Sequence, residues 1–278
     1  MNEIYERLQK ALQYIRRKID FVPEIGVVLG SGLGDFAENI EIVSSVPYKD
    51  IEGFPISTVD GHKGRFVFGY CENIPVVLMQ GRVHYYEGYD MCDVVMPTRL
   101  MGLMGIKTII LTNAAGGIDP DFSIGDLMLI KNQIASFVPS PLRGRNISEL
   151  GPRFPDMSGL YNEEDCKPIR MAAKQIGIQL KEGTYVQLPG PNFESSAEIK
   201  MCSILGGSAV GMSTACEAIA ARHMGVKVCG VSLITNMAAG ISKLPQTNEE
   251  VNENASAASD KFCKLIHQTI INIHNSEN

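Results

Sequence analysis

The strongest constraint on this chain is the alternation of short β-branched apolar runs with helical patterns, each run followed by glycine or polar residues. The runs fall at 27–29, 65–70, 74–80, 107–112, 127–131, 184–188, 208–211 and 227–234. Apolar residues at helical spacing occupy 3–19, 90–104, 163–176, 194–205, 213–225 and 249–273. Strands alternating with helices need crossover connections. The fold class expected is therefore α/β, with a largely parallel, mixed central sheet covered by helices on both faces. No repeat, low-complexity tract or composition break divides the 278 residues, so one domain over 1–278 is expected. The span 138–160, rich in Pro, Gly, Arg and Ser, reads as a long ordered loop of the kind that carries function or an interface.

Composition narrows the partners. A net charge of −6 argues against a nucleic-acid backbone. Seven scattered cysteines with no C-x-x-C pair argue for reduced thiols in the cytoplasm, and against a disulfide framework or a metal centre. The first twenty residues mix charge with apolar residues and do not read as a signal peptide. No stretch is long enough and free enough of charge to cross a membrane.

The strand ends carry the chemistry. The first run leads into Gly30-Ser31-Gly32-Leu33-Gly34-Asp35. A strand that breaks into a glycine turn before a helix offers free backbone amides to an oxyanion. Asp35 stands where the dinucleotide fingerprint needs glycine, and no lysine follows as a nucleotide P-loop requires. Locally, an anion loop and a plain tight turn fit equally well. Further strand ends give Gln80-Gly81-Arg82-Val83-His84, Thr112-Asn113-Ala114-Ala115-Gly116-Gly117, Pro189-Gly190-Pro191-Asn192-Phe193-Glu194, Met212-Ser213 and Thr235-Asn236. In α/β sheets ligands gather at the carboxyl ends of strands, so this convergence implies a composite site.

Arg82 offers a planar fork suited to phosphate, and His84 a further donor that Glu87 could orient. His62 lies in the glycine-flanked loop Gly61-His62-Lys63-Gly64, which could close over the site. Taken singly, the plainer readings are favoured: Arg82 as a solvated surface arginine, and either histidine as a structural one. Ala114 would act through its backbone N–H. Ser213 opens a helical pattern, where an N-cap and an anion ligand are compatible roles. Glu194 starts another, where a carboxylate also suits the helix dipole. Asn236 follows the most apolar strand, where an amide is costly unless paired. Tyr86, Phe193 and Met212 offer flat or soft apolar surface to a sugar or a base.

Taken together, Gly-Ser-Gly-Leu-Gly at 30–34, Gly-His-Lys-Gly at 61–64 and Gly-Arg-Val-His-Tyr-Tyr-Glu-Gly-Tyr at 81–89 resemble the trimeric purine nucleoside phosphorylases. So do Thr-Asn-Ala-Ala-Gly-Gly at 112–117, Gly-Pro-Asn-Phe-Glu-Ser at 190–195, Gly-Met-Ser-Thr at 211–214 and Ser-Leu-Ile-Thr-Asn-Met-Ala-Ala-Gly-Ile at 232–241. The resemblance implies a cytoplasmic homotrimer with no cofactor and no metal. Inorganic phosphate would be the co-substrate that cleaves purine nucleosides to free base and ribose 1-phosphate. Ser31, His62, Arg82, His84, the Ala114 N–H and Ser213 would hold phosphate. Tyr86 and Met212 would hold the ribose, with Phe193 on the base. Glu194 and Asn236 would recognise a 6-oxopurine and, with His84, carry the catalysis.

Two departures stand out. Asn248 replaces the histidine that usually precedes Glu-Glu-Val and meets the sugar 5′-hydroxyl. The loop 134–140 is also unlike the common form, and Phe137 or Val138 is expected to reach a neighbouring subunit. The alternatives are a methylthioadenosine phosphorylase, which would carry aspartate in place of Asn236, a nucleoside-binding protein without catalysis, and a dinucleotide-binding oxidoreductase, which Asp35 opposes.

Overall fold

The computed structural model describes residues 2–59, 61–242 and 245–277. The N-terminal segment forms helix α1 (Glu3–Arg16), capped by the Asn2 side chain and burying Leu8, Ala11, Leu12 and Ile15. It stops three residues short of the pattern that suggested it. One sheet of nine strands follows: β1 (Ile25–Leu29), β2 (Glu41–Pro47), β3 (Arg65–Cys71), β4 (Ile74–Gln80), β5 (Thr108–Gly117), β6 (Leu127–Ile134), β7 (Leu180–Gln187), β8 (Ala209–Gly211) and β9 (Lys227–Met237). Helices α2 (Met91–Val94), α3 (Met96–Met104), α4 (Glu163–Gln175), α5 (Ser196–Ile204), α6 (Ala215–His223) and α7 (Asn248–Glu277) flank it.

The sheet is mixed, as expected. Strand β1 lies parallel between β4 and β5, while β3 runs antiparallel to both β2 and β4. It is not open throughout. Strand β5 pairs with β8 and with β9, and β8–β7–β6–β9 completes a ring of five strands. That closure explains why β5 runs on through Asn113-Ala114-Ala115-Gly116-Gly117, which the sequence suggests as a turn. An irregularity between Ala115 and Gly116 lets the strand end serve two neighbours. A Cβ on Gly116 would lie 3.3 Å from Asn236 Nδ2, and one on Gly117 2.9 Å from Met237 Sδ. Only small residues fit there.

Strand β2 had no counterpart in the sequence pattern. Most of its residues are exposed, with Ile42 and Val43 each 48% accessible, so it lacks the alternation that marks a half-buried strand. The long helix α7 packs on α4 and β9 and buries Ala255, Ala258, Phe262, Leu265, Ile266, Ile270 and Ile273, a stripe at helical spacing. Residues 138–160 contain neither helix nor strand. Phe137 and Val138, expected to reach outward, pack instead on apolar clusters of their own chain. The aromatic this loop turns outward is Phe154, 89% exposed.

Candidate active site

A cavity of about 340 Å³ collects eleven of the twelve residues singled out from sequence: Ser31, Arg82, His84, Tyr86, Ala114, Phe193, Glu194, Met212, Ser213, Asn236 and Asn248. The twelfth, His62, stands beside it, with Nε2 3.5 Å from Ser31 Oγ and Nδ1 within reach of the Arg82 backbone.

The glycines of the first loop are fixed by packing. A Cβ on Gly30 would press within 2.7 Å of the Asn113 backbone, and Gly32, at φ +77°, would meet Ala255 of α7. The Gly30 amide donates to Thr112 Oγ1 at 3.0 Å, which locks the loop to β5. Neither the Ser31 nor the Gly32 amide meets an acceptor among the described residues. These are free donors at the mouth of a strand, as an oxyanion requires.

Arg82 is not the solvated arginine its sequence position allowed. It is 2% exposed, and its Nε and Nη2 donate to the two carboxylate oxygens of Glu217 at 3.1 and 3.0 Å, while Nη1 donates to the Thr112 carbonyl at 2.9 Å. Glu217 lies 135 residues away on α6, and no local pattern links the two. The pair fixes the guanidinium plane and cancels its charge within the protein.

The two histidines are neutral near pH 7. Burial, reinforced by repulsion from His84, pushes His62 down to about 4. Burial also lowers His84, against an opposing hydrogen bond to Glu87. Glu87 accepts from the His84 amide at 2.7 Å and from its Nδ1 at 3.1 Å. A carboxylate only accepts, so Nδ1 carries the His84 proton and Nε2 presents a lone pair. Burial pushes the Glu87 carboxyl up, but bonds from His84 and Thr58 outweigh it and hold the group at about 2. The Tyr86 ring stacks on His84 with centroids 4.7 Å apart.

Ser213 does not cap α6. Thr214 occupies the cap position with φ +77° and ψ −55°, and Ala215 N donates to Ser213 O at 2.9 Å. This is the rare positive-φ γ-turn, a strained conformation for a β-branched residue. Asn113 Nδ2 holds it, donating to Thr214 Oγ1 at 3.1 Å. The Cys216 amide in the first turn is already taken by Gln187 Oε1 at 2.8 Å, so this helix start has one donor fewer for an anion than its sequence suggested. Glu194 likewise stands outside its helix. Ser195 caps α5 with Glu198 as the reciprocal partner, which leaves the Glu194 carboxylate to the cavity, where burial raises it above its usual range. Asn236, 5% exposed, accepts from Thr235 Oγ1 through Oδ1, leaving Nδ2 as its donor end. Asn248 begins α7 at the rim, beside Val251. Among the described residues no cluster of His, Cys, Asp or Glu could hold a metal, and no helix is long and apolar enough to cross a membrane.

The family model described as "Phosphorylase superfamily" matches residues 24–271. Purine nucleoside phosphorylase 1 of Geobacillus stearothermophilus is 45% identical over 96% of this chain and 97% of its own length. The Mus musculus purine nucleoside phosphorylase is 41% identical over 96% of both chains. Among solved structures, a schistosoma purine nucleoside phosphorylase in complex with hypoxanthine superposes with a TM-score of 0.90 at 34% identity, covering 95% of this chain and 96% of that one. A structure of the Schistosoma mansoni enzyme in complex with adenosine gives the same TM-score at 35% identity, over 95% and 96%. Matched along nearly its whole length, the chain belongs to the purine nucleoside phosphorylase family of the phosphorylase superfamily.

Proposed function

We propose that this enzyme carries out reversible phosphorolysis of 6-oxopurine nucleosides, with inorganic phosphate as second substrate and no cofactor. The observation that carries the reading is that one cavity is lined both by Ser31, Arg82, His84 and Ser213 and by Glu194 and Asn236. The first group suits a phosphate, together with His62 and the Ala114 N–H. The second suits a purine, with Phe193 packed on the base and Tyr86, Met212 and Asn248 toward the sugar.

In the reaction the C1′–N9 bond breaks and its electron pair moves onto the purine, while a phosphate oxygen forms the new bond to C1′. The sugar passes through an oxocarbenium-like cation, which the phosphate dianion stabilises before attacking. Donors held at the purine stabilise its growing negative charge, worth roughly 10²–10³ in rate for each one. Asn236 Nδ2 would donate toward purine O6 or N7, and Glu194 would accept the N1–H of a 6-oxopurine. Adenine has no proton at N1 and would face the carboxylate lone pair to lone pair, at a cost of about 1–3 kcal/mol for the unpaired buried group. His84 faces phosphate through a lone pair, so that contact needs a proton, carried by the hydrogen phosphate dianion or taken up by the ring. A homotrimer in the cytoplasm is part of the same reading, with the outward Phe154 as the kind of surface a neighbouring subunit would cover.

Purine release from inosine and adenosine, each with and without phosphate, tests this directly. Phosphate-dependent release is expected from inosine, with kcat/KM for adenosine lower by about 10- to 100-fold, and Asn236→Asp should narrow that gap. Release without phosphate would mean a hydrolase. Equal turnover of adenosine would remove the Glu194/Asn236 assignment. No turnover would leave a binding protein. A monomer mass by light scattering would remove the trimer.

A further inference from the structure

A second cavity, of about 240 Å³, is bounded by the start of α1, by α2 and α3, by the loop 141–147 and by His223 at the end of α6. Arg99, Arg143, Arg145 and His223 all line it, and among the described residues no carboxylate does. Arg99 is 3% exposed, yet the one hydrogen bond of its guanidinium among the described residues is Nη2 to the Pro141 carbonyl at 3.1 Å. Its Nε is buried with no partner among the described residues. His223 Nε2 donates to the Pro152 carbonyl at 3.0 Å. The wall opposite is preset: Arg153 Nη1 clamps the Gly144 carbonyl at 2.6 Å, and the Leu142 amide donates to Ser140 Oγ at 3.2 Å.

A buried guanidinium with no counter-charge and an orphan donor is costly, and a bound anion would relieve both terms at once. Burial accordingly holds the Arg99 guanidinium below its ordinary range. Two further arginines on the rim set the sign and, through their forked donors, the preference for a tetrahedral oxyanion. We propose that this cavity is a second oxyanion site, for inorganic phosphate or the phosphate group of a sugar phosphate, anchored by Arg99 with Arg143 and Arg145 as outer ligands. It is separate from the phosphorolysis cavity, shares no lining residue with it, and does not depend on that reading.

The site carries its own reporter. Cys92 lines the cavity, and it is the one cysteine of the seven that is not buried. The rate of Cys92 alkylation by a maleimide, mapped by peptide mass spectrometry on the full chain, therefore reads occupancy apart from activity. Inorganic phosphate is expected to slow labelling several-fold and saturably. A sugar phosphate protecting at lower concentration would identify the larger ligand, and equal protection the free ion. Protection should vanish in Arg143→Ala/Arg145→Ala and in Arg99→Met, and survive Ser31→Ala/Ser213→Ala. Labelling that ignores phosphate in the unaltered chain would overturn the proposal. So would protection that survives the rim variant, or labelling that follows protein concentration instead, which would mean a carboxylate from a second copy fills the cavity.

Discussion

Two arginines lie almost equally deep in this protein, Arg82 at 2% exposure and Arg99 at 3%, and they are treated in opposite ways. Arg82 is held by both carboxylate oxygens of Glu217 and by a carbonyl. Arg99 has a single carbonyl and a bare Nε. The difference teaches what each cavity must do. With Arg82 neutralised and both nearby histidines uncharged, the first cavity grips an anion mainly through aimed donors, so phosphate is oriented and can still leave as a product ester. The second cavity keeps a net positive charge, which suits retention of an anion over turnover.

Glu217→Gln keeps the shape but leaves Arg82 buried and uncompensated, and urea unfolding should register a loss of about 3–5 kcal/mol. The same variant should lower the KM for phosphate, because the cavity gains net charge, and phosphate should raise its Tm more than that of the parent. An unchanged KM would mean the ion pair is irrelevant to the anion.

At Arg99 the sign reverses. Arg99→Met removes a charge that has no partner, so in phosphate-free buffer its stability should equal or exceed the parent's by up to about 1–4 kcal/mol. A loss as large as that of Glu217→Gln would show that Arg99 is paired in solution and end the contrast.

A finer test uses His62. Its pKa falls from 6.5 when unfolded to about 4 when folded, so between those values the unfolded chain binds a proton that the folded chain refuses. Stability should therefore drop as pH falls from 6.5 toward 4, and His62→Gln should flatten that part of the profile. Glu87, held at about 2 against 4.5 when unfolded, adds its own loss of stability from about pH 5 downward, so the His62 share is read between pH 5 and 6.5.

What the sequence revealed follows from how far each interaction reaches along the chain. Ser31, Arg82, His84, Glu194 and Asn236 were legible because each follows an apolar strand at a glycine or polar break. The mixed sheet was legible from alternation, which is a local property. Glu217 was not, because its partner is 135 residues distant and a carboxylate in the first turn of a helix reads as a helix-dipole residue. Gln187 reads as an ordinary strand residue, and Asn113 as part of a strand-end turn, until the ring of strands brings them to the start of α6. Arg99 was hidden for a related reason. Its segment is apolar on nearly every side, and an arginine within such a helix looks like the solvent face until the loop at 141–147 covers it.

The ring of strands has a consequence for how molecules of this protein meet. A sheet that closes β9 back onto β5 leaves β2 as its exposed border among the described residues. Unpaired backbone groups on such a border are a template for strand addition and aggregation. Here the border is seven residues long, begins with a glutamate, ends in a proline and is bent by a register shift between Ile42 and Ser44. A bent strand with a charge at one end and no donor at the other is a poor template, so Ile42 and Val43 can face water without recruiting a partner strand. Straightening it by deleting Val43 should make the protein prone to edge-to-edge association at concentrations where the parent stays dispersed.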